Sequence, residues 1–181
     1  MKYDHIWLEA YAEMLQGKTV LELGCGSGID TVIINKCSDS LISGDIATKF
    51  NQESSVLNLD HSKELPFEAG TFDLVVASLC LHYFTFENTR NIVAEISRVM
   101  KPASILICRV NSYKDTNFGS VGYPEIEPGL YNVNGEQKRF FKEKDIHTLW
   151  AHSYKLSDIL HKRIDRYNNP KYVYEFNATK A

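Results

Sequence analysis

The glycines of residues 20–28, V-L-E-L-G-C-G-S-G, constrain this chain more than any other feature. An apolar strand runs into Gly24, Gly26 and Gly28, and a helix-like stretch begins directly after them. Glycines permit a tight turn and let the backbone approach a ligand bound at a helix N-terminus. The dinucleotide fingerprint G-x-G-x-x-G would need its third glycine at position 29, which is occupied by Ile29. The loop therefore predicts a nucleotide-type site after the first strand, with a glycine spacing that disfavours dinucleotides.

Composition and charge narrow the class of protein. The 181 residues are 44% hydrophobic and 24% charged, which is typical of a single soluble domain, here residues 1–181. No apolar run reaches the length of a membrane span, and the N-terminal residues lack the apolar core of a signal peptide. The four cysteines include no C-x-x-C pair, which suits reduced thiols and predicts a cytoplasmic location. The net charge of −3 argues against nucleic acid as the main partner, and the histidine spacing predicts no metal site.

The order of the predicted elements indicates the fold class. Strand patterns alternate with helical patterns, which implies right-handed βαβ units and a largely parallel sheet. After the first strand, the predicted strands are 40–45, 54–60, 72–78 and 104–110, and the predicted helices are 4–16, 29–36 and 87–100. Thr85 or Asn88 could cap the last of these helices. Two extended stretches, 154–166 and 171–179, are separated by four residues and predict an antiparallel hairpin. The expected fold is α/β: a three-layer sandwich around a mostly parallel seven-stranded sheet with a C-terminal antiparallel hairpin.

Residues 111–140 interrupt this regularity. They contain four glycines, two prolines and five aromatic residues, and they show no sustained periodicity. They follow the fifth predicted strand at its carboxyl end, where ligands of open α/β sheets bind. A long segment of this kind in a compact domain is typically a lid, a binding segment or a disordered loop. We expect a lid that is mobile without ligand and closes over the site.

Four motifs in chain order carry a family resemblance. The first is the strand-E-x-G-x-G-x-G pattern with Glu22 inside the strand. The second and third motifs are L-P-F at 65–67 and F-D-L-V-V at 72–76. The fourth is R-V-M-K-P-A at 98–103, in which Ala103 occupies a position where glycine is usual in the motif. Together they resemble the class I S-adenosylmethionine-dependent methyltransferases, of the small-molecule, methyltransferase type 11-like kind. The motifs cover roughly residues 18–110, and the family's Rossmann-like sheet with a closing hairpin agrees with the strand order.

The resemblance implies S-adenosylmethionine as cofactor, S-adenosylhomocysteine as product, and a small-molecule acceptor. A carboxylate at Asp45, the end of the second predicted strand, would accept hydrogen bonds from both ribose hydroxyls, and Asp60 would approach the adenine amino group. Each of these two residues has a simpler alternative as a turn or capping residue. The expected cofactor-binding residues are Glu22, Gly24, Cys25, Gly26, Gly28, Asp45, Ile46, Asp60, His61 and Ser78.

The segment after the fourth predicted strand, residues 78–83, would pass the methionine end of the cofactor and open toward the acceptor. His82 is the candidate catalytic residue, because a neutral imidazole could take a proton from an acceptor. A structural histidine bonded to backbone is an equal alternative. Residues 111–140, the first helix with Trp7 and Tyr11, and His82 with Tyr83 would frame the acceptor.

Two other functions stay open at this point. The chain could be an inactive, cofactor-binding partner subunit, because only about 17 residues precede the first strand and many relatives build an acceptor lid there. It could also be a nicotinamide-dependent oxidoreductase, which Ile29 and the C-terminal hairpin both disfavour. The absence of an Asn/Asp-Pro-Pro-Tyr/Phe motif after the fourth strand argues against adenine and glutamine amino groups as acceptors. The sequence predicts neither the acceptor atom nor the oligomeric state.

Overall fold

The structure is a computed structural model of the chain and describes residues 7–47, 56–165 and 167–181. Within these ranges a short 3-10 helix at Trp7–Tyr11 is followed by four α-helices and eleven strands. The helices are α1 Ala12–Leu15, α2 Ile29–Cys37, α3 Phe86–Val99 and α4 Glu143–Trp150. The strands are β1 Thr19–Leu23, β2 Ser40–Asp45, β3 Val56–Asn58, β4 Phe72–Ser78, β5 Met100–Asn111, β6 Glu125–Glu127, β7 Leu130–Val133, β8 Glu136–Arg139, β9 Tyr154–Leu156, β10 Leu160–Ile164 and β11 Lys171–Lys180.

One mixed sheet organises the domain. Its strands follow the order β10-β11-β5-β4-β1-β2-β3, and β9 pairs with β11 beside this path. The pairs among β1, β2, β3, β4 and β5 are parallel, whereas β11 is antiparallel to β5, β9 and β10. The predicted α/β fold, with a mostly parallel sheet and a C-terminal antiparallel hairpin, is confirmed.

The first strand of that hairpin is divided into two pieces. Both β9 and β10 pair with the same edge of β11, where Leu156 lies opposite Ala178 and Leu160 opposite Glu175. Three residues separate Leu156 from Leu160, whereas two separate Glu175 from Ala178 on β11. The chain between β9 and β10 therefore bulges away from the ladder. The prediction of one continuous strand over 154–166 was therefore wrong, and the sheet contains eight strands rather than seven.

The sheet separates two apolar layers, because alternate residues of a strand point to opposite faces. In β4, Leu74 and Val76 pack in a cluster with residues of the N-terminal helices and α2. Val75 and Ala77 pack in a second cluster with residues of α3 and α4. The continuous apolar run of β4 is the pattern of a strand buried on both faces, and the layers form the expected three-layer sandwich.

Helix boundaries follow local signals. The Thr85 hydroxyl caps α3 by accepting a hydrogen bond from the Asn88 amide at 3.2 Å, as the sequence predicted. The predicted first helix, 4–16, lies partly outside the described residues, and its described part is the 3-10 helix followed by α1. The predicted strand 54–60 likewise begins outside them and is seen as β3. None of the described helices is long and apolar enough to cross a membrane.

Residues 111–140 are more regular than the sequence analysis expected. Strands β6, β7 and β8 form a separate three-stranded antiparallel sheet. The β7–β8 turn is Asn134-Gly135, with φ of 55° and 88°, and this dipeptide is a strong hairpin signal because both residues tolerate positive φ. The strands contain three or four residues each, which is too short to produce a visible periodicity. The segment is thus a small sheet preceded by an irregular loop.

Candidate functional site

Two neighbouring cavities open where β1, β2, β4 and β5 end. The carboxyl ends of parallel strands lie at one edge of a sheet, which is where open α/β sheets bind ligands. The first cavity has a volume of about 690 Å³, and the second has a volume of about 370 Å³. Leu79 and Tyr83 line both of them. The cavities therefore share a wall, just after β4.

The glycine loop forms one side of the first cavity. Gly24 has a φ of 66°, and its amide donates to the Gly44 carbonyl at 2.8 Å. A Cβ at Gly24 would overlap the Cβ of Cys80, so this position has no room for a side chain. Gly28, with a φ of 74°, is the N-cap of α2, and Ile29 is the first helical residue. Positive φ and close packing thus explain these two glycines.

Asp45 lies at the mouth of the first cavity. One carboxylate oxygen accepts a hydrogen bond from the Gly26 amide, and the other accepts one from the Ala47 amide, each at 2.8 Å. These two bonds fix the carboxylate beside the glycine loop, with lone pairs left over for a ligand. Ile46 lines the same cavity, although 65% of its surface is exposed.

Asp60 and His61 line the opposite side of the first cavity. Asp60 accepts hydrogen bonds from the Ser62 amide at 3.0 Å and from the Ser62 hydroxyl at 2.6 Å, and these bonds hold its pKa below the usual range. Asp60 is therefore a turn residue that also faces the cavity. His61 donates from Nε2 to the Cys80 carbonyl at 3.2 Å, and burial lowers its pKa.

Two residues that line the second cavity, His82 and Asn111, each have a buried polar atom, Nδ1 and Oδ1, with no hydrogen-bond partner in the described part of the chain. Only 4% of His82 and 1% of Asn111 is exposed. Buried polar atoms are nearly always hydrogen-bonded, so each of these two atoms is a candidate contact for a water molecule or a polar ligand. Burial, and then the charges of Lys171 and Lys138, lower the pKa of His82 well below its usual value. His82 is therefore neutral at pH 7.

The sequence and the fold both match known proteins. A family model described as "Methyltransferase domain" matches residues 21–108. An uncharacterized methyltransferase of Synechocystis sp. is 32% identical over 95 residues, which are 49% of this chain and 45% of that protein. Phosphoethanolamine N-methyltransferase 1 of Triticum aestivum is 25% identical over 167 residues, 86% of this chain and 33% of that protein. The chain spans less than half the length of these two curated relatives.

Solved structures share the whole fold. A crystal structure described as SAM-dependent methyltransferases from Methanosarcina mazei has a TM-score of 0.72 at 19% identity, over 91% of this chain and 93% of that one. The 1,6-didemethyltoxoflavin-N1-methyltransferase of Burkholderia thailandensis also has a TM-score of 0.72, at 18% identity, over 98% of this chain and 80% of that chain. The chain therefore matches a methyltransferase domain in sequence over residues 21–108 and shares its fold with S-adenosylmethionine-dependent methyltransferases. The matched residues end inside β5, so the second cavity draws partly on residues beyond them.

Six of the ten expected cofactor residues line the first cavity: Gly24, Gly26, Asp45, Ile46, Asp60 and His61. The other four, Glu22, Cys25, Gly28 and Ser78, are not among its lining residues. The Ser78 hydroxyl is buried and has no hydrogen-bond partner in the described ranges. Burial raises the pKa of the Cys25 thiol to about 12. A direct ligand contact at these four positions stays a prediction.

Glu22 lies behind the glycine loop. Only 2% of it is exposed, and Oε2 accepts hydrogen bonds from the Thr31 and Ser43 hydroxyls, each at 2.7 Å. Burial raises its pKa to about 7 despite these bonds. The carboxyl ties β1 to β2 and to α2, and so supports the loop from the inside.

Trp7 and Tyr11 line neither of these two cavities. Trp7 donates from Nε1 to Asp30 at 3.0 Å, and Tyr11 donates to Glu175 at 3.3 Å. Arg109 lies 3.9 Å from the centre of the Trp7 ring and also donates to Glu175 at 2.8 Å. This buried network attaches the first helix to the sheet, which is a structural role for both aromatic residues.

Sequence reasoning assigned no individual role to several residues that line the cavities. In the first cavity it missed Ser62 and Phe84, and it included Glu136 only within the segment 111–140. In the second cavity it missed Lys171, and it included Asn111 only within that same segment. Asn111 ends β5 at the carboxyl edge, a position from which it could have been predicted. Lys171 begins β11, and no local pattern distinguishes it.

Proposed function

We propose that this chain binds S-adenosylmethionine in the first cavity and transfers its methyl group to a small molecule held in the second. The observation that carries this proposal is the wall shared by the two cavities, at Leu79 and Tyr83. Methyl transfer needs the donor and the acceptor side by side and in line, and holding them so supplies much of the rate acceleration.

The lining of the first cavity fits the cofactor. The Asp45 carboxylate offers acceptors to a pair of ribose hydroxyls, because its oxygens each retain a lone pair after bonding the Gly26 and Ala47 amides. The exposed side chain of Ile46 offers an apolar surface to a planar base. Asp60 offers an acceptor to an exocyclic amino group. These groups match the sugar and the base of the cofactor in kind and in number.

When bound, the cofactor supplies a methyl group on a sulfonium, so the protein needs no nucleophile of its own. The residues of the chain have three tasks: to orient the acceptor, to exclude water and to accept a hydrogen bond from the acceptor. Nδ1 of neutral His82 is available for the last task. Its lowered pKa makes His82 a weak base, so we assign it to orientation of the acceptor more than to proton removal.

The second cavity favours a small acceptor. Its volume of about 370 Å³ lies within the range of small-molecule sites. Two of the similar proteins act, by their names, on phosphoethanolamine and on 1,6-didemethyltoxoflavin, which are small molecules. A second cavity beside the first favours an active enzyme over an inactive cofactor-binding subunit, because an inactive subunit needs no acceptor site.

Calorimetric titration with S-adenosylmethionine, S-adenosylhomocysteine, NAD and NADP tests cofactor choice. We expect binding of the first two alone, and a heat signal for NAD alone would overturn the proposal. Turnover is then measured as formation of S-adenosylhomocysteine across a panel of small acceptors. Tight cofactor binding without turnover of any acceptor would favour the inactive partner subunit instead.

A further inference from the structure

Two lysines stand in the second cavity with no acid among the residues that line it. Lys138 comes from β8 and Lys171 from the start of β11. None of the described lining residues is Asp or Glu, and the neighbouring polar groups are amides, tyrosines and the neutral His82. The charged side chains that line this cavity are therefore both cationic, and their carboxylate partners lie outside the lining.

Lys171 is held in place from behind. Only 8% of it is exposed, and its Nζ lies 3.5 Å from Oδ2 of the fully buried Asp115. The ammonium also lies 5.3 Å from the centre of the Phe118 ring. Oδ1 of Asp115 accepts hydrogen bonds from the amides of Asn117 and Phe118, each at 3.1 Å. The lysine is thus fixed at the cavity wall, and its burial makes a further anionic contact favourable.

The charge of Lys138 is less compensated by its carboxylate partner than the charge of Lys171 is. Its partner is Glu136, at 3.1 Å, and the side chain of that glutamate is 67% exposed. Solvent screens an exposed carboxylate strongly, so the pair cancels little of the charge that Lys138 presents to the cavity. Both lysines also lower the pKa of His82, which places their charges within reach of the same space.

The lysines line the second cavity only, whereas Leu79 and Tyr83 form the wall shared with the first. An acceptor held by the lysines would therefore place its charged end away from that wall and its reacting end toward it. Aromatic walls at Tyr123 and Phe118 complete the cavity around an apolar or planar body.

We propose that the methyl acceptor is a small molecule with an anionic group, a carboxylate or a phosphate, bound by Lys138 and Lys171. This inference rests on the proposed function, because it names the substrate class of the same second cavity.

The test uses three probes of similar shape: benzoate, phenyl phosphate and the uncharged benzamide. Each is titrated into protein saturated with S-adenosylhomocysteine at constant ionic strength, and the ring signals of His82 in NMR spectra report occupation of the second cavity. We expect at least one anion to bind about tenfold more tightly than benzamide, as charge-assisted bonds imply. The tighter of the two anions tells a carboxylate acceptor from a phosphate acceptor.

Three variants locate the contact. Lys138→Met removes the less compensated charge, and the double variant Lys171→Met with Asp115→Asn removes the buried pair without leaving a buried charge unpaired. Lys144→Met, on the exposed face of α4, changes the net charge as Lys138→Met does and is its matched control, whereas the double variant leaves the net charge unchanged. Loss of the preference for the anion in either lysine variant, with retention in Lys144→Met, supports the proposal.

Equal binding of benzamide and both anions would overturn the proposal, as would an unchanged preference in both lysine variants. Affinity for S-adenosylhomocysteine is measured in the same samples. If wild-type protein fails to bind it, the proposed function itself fails. If it binds normally while the anions show no preference, only the acceptor class is wrong.

Discussion

The carboxylate of Asp45 is placed for both roles that the sequence presented as alternatives. It accepts hydrogen bonds from the Gly26 and Ala47 amides, which is the behaviour of a turn residue, and it also lines the first cavity. The ribose contact stays a prediction, and it would use the same two oxygens as the glycine loop.

We expect Asp45→Ala to weaken binding of S-adenosylhomocysteine roughly ten- to a hundredfold, since a charged acceptor of two hydroxyls is lost, at a cost of about 1.5–3 kcal/mol. Calorimetric titration measures the change. Asp39→Ala, at the exposed turn before β2, is the control and should bind normally. Affinity within a factor of about two of wild type would show that Asp45 serves the turn alone.

Ala103 shows a second local conflict, between its side chain and its backbone conformation. It lies in β5 where the register with β4 shifts, and it has a φ of 59°, a conformation that a side chain disfavours. We expect Ala103→Gly to raise the free energy of unfolding by about 0.5–1 kcal/mol, the strain relieved less the extra backbone entropy of glycine. Urea denaturation measures this change in the free energy of unfolding.

The matched control is Ala94→Gly, on the exposed face of α3. A glycine in a helix interior should lower the free energy of unfolding by about 1 kcal/mol. Opposite signs for the two substitutions would confirm the strain at Ala103, and a loss of stability in both would refute it.

Among the elements, the segment 111–140 divides into two parts with different expected dynamics. The meander β6-β7-β8 is anchored: the Arg139 amide donates to the His82 carbonyl at 2.6 Å, and the Arg139 side chain reaches the Phe84 carbonyl at 3.1 Å and also pairs with Glu127. The preceding loop is more exposed, with 84% of Val121 accessible, although Tyr123 lines the second cavity.

The Asn117 and Phe118 amides are bonded to the buried Asp115, so we restrict the lid prediction to residues 119–124. Amide hydrogen exchange should be slow in β7 and β8 without ligand and fast in 119–124. Addition of S-adenosylhomocysteine together with benzoate or phenyl phosphate, whichever binds, should slow exchange in 119–124 at least severalfold. Strong protection of that loop in the ligand-free protein would show that it is permanently packed and does not act as a lid.

For the whole molecule, the buried carboxyl of Glu22 links stability to pH. Burial raises its pKa from 4.5 to about 7 in the folded state, so the folded protein holds this proton more tightly than the unfolded chain. The contribution of Glu22 to the free energy of unfolding is thus greatest below about pH 4.5. It falls as pH rises, by about 3 kcal/mol by pH 7.

The half-buried His61 and the buried His82 change stability in the opposite direction, because their lowered pKa values make the folded state less stable as pH falls. Comparison of wild type with Glu22→Gln cancels the contribution of both histidines and so isolates that of Glu22. The difference in unfolding free energy between wild type and Glu22→Gln, from urea denaturation between pH 4 and pH 8, should decrease with rising pH. A difference independent of pH would contradict the raised pKa.

The sequence by itself determined the elements whose signals are local. The apolar run of β4 and the glycines after β1 predicted a buried strand and a tight turn, and Thr85 predicted the start of α3. Each of these signals depends on contacts within a few residues, so the printed sequence contains it in full. The Asn134-Gly135 turn carried an equally local signal, and short flanking strands concealed it.

Only the tertiary structure decided the environment of the polar groups. Glu22 is a carboxyl with a raised pKa because β2 and α2 enclose it. The second cavity exists because β4, β5, β8 and β11 place Leu79, Asn111, Lys138 and Lys171 around one space. Burial and charge at these positions depend on residues far apart in the chain, and no pattern within a local window contains that information.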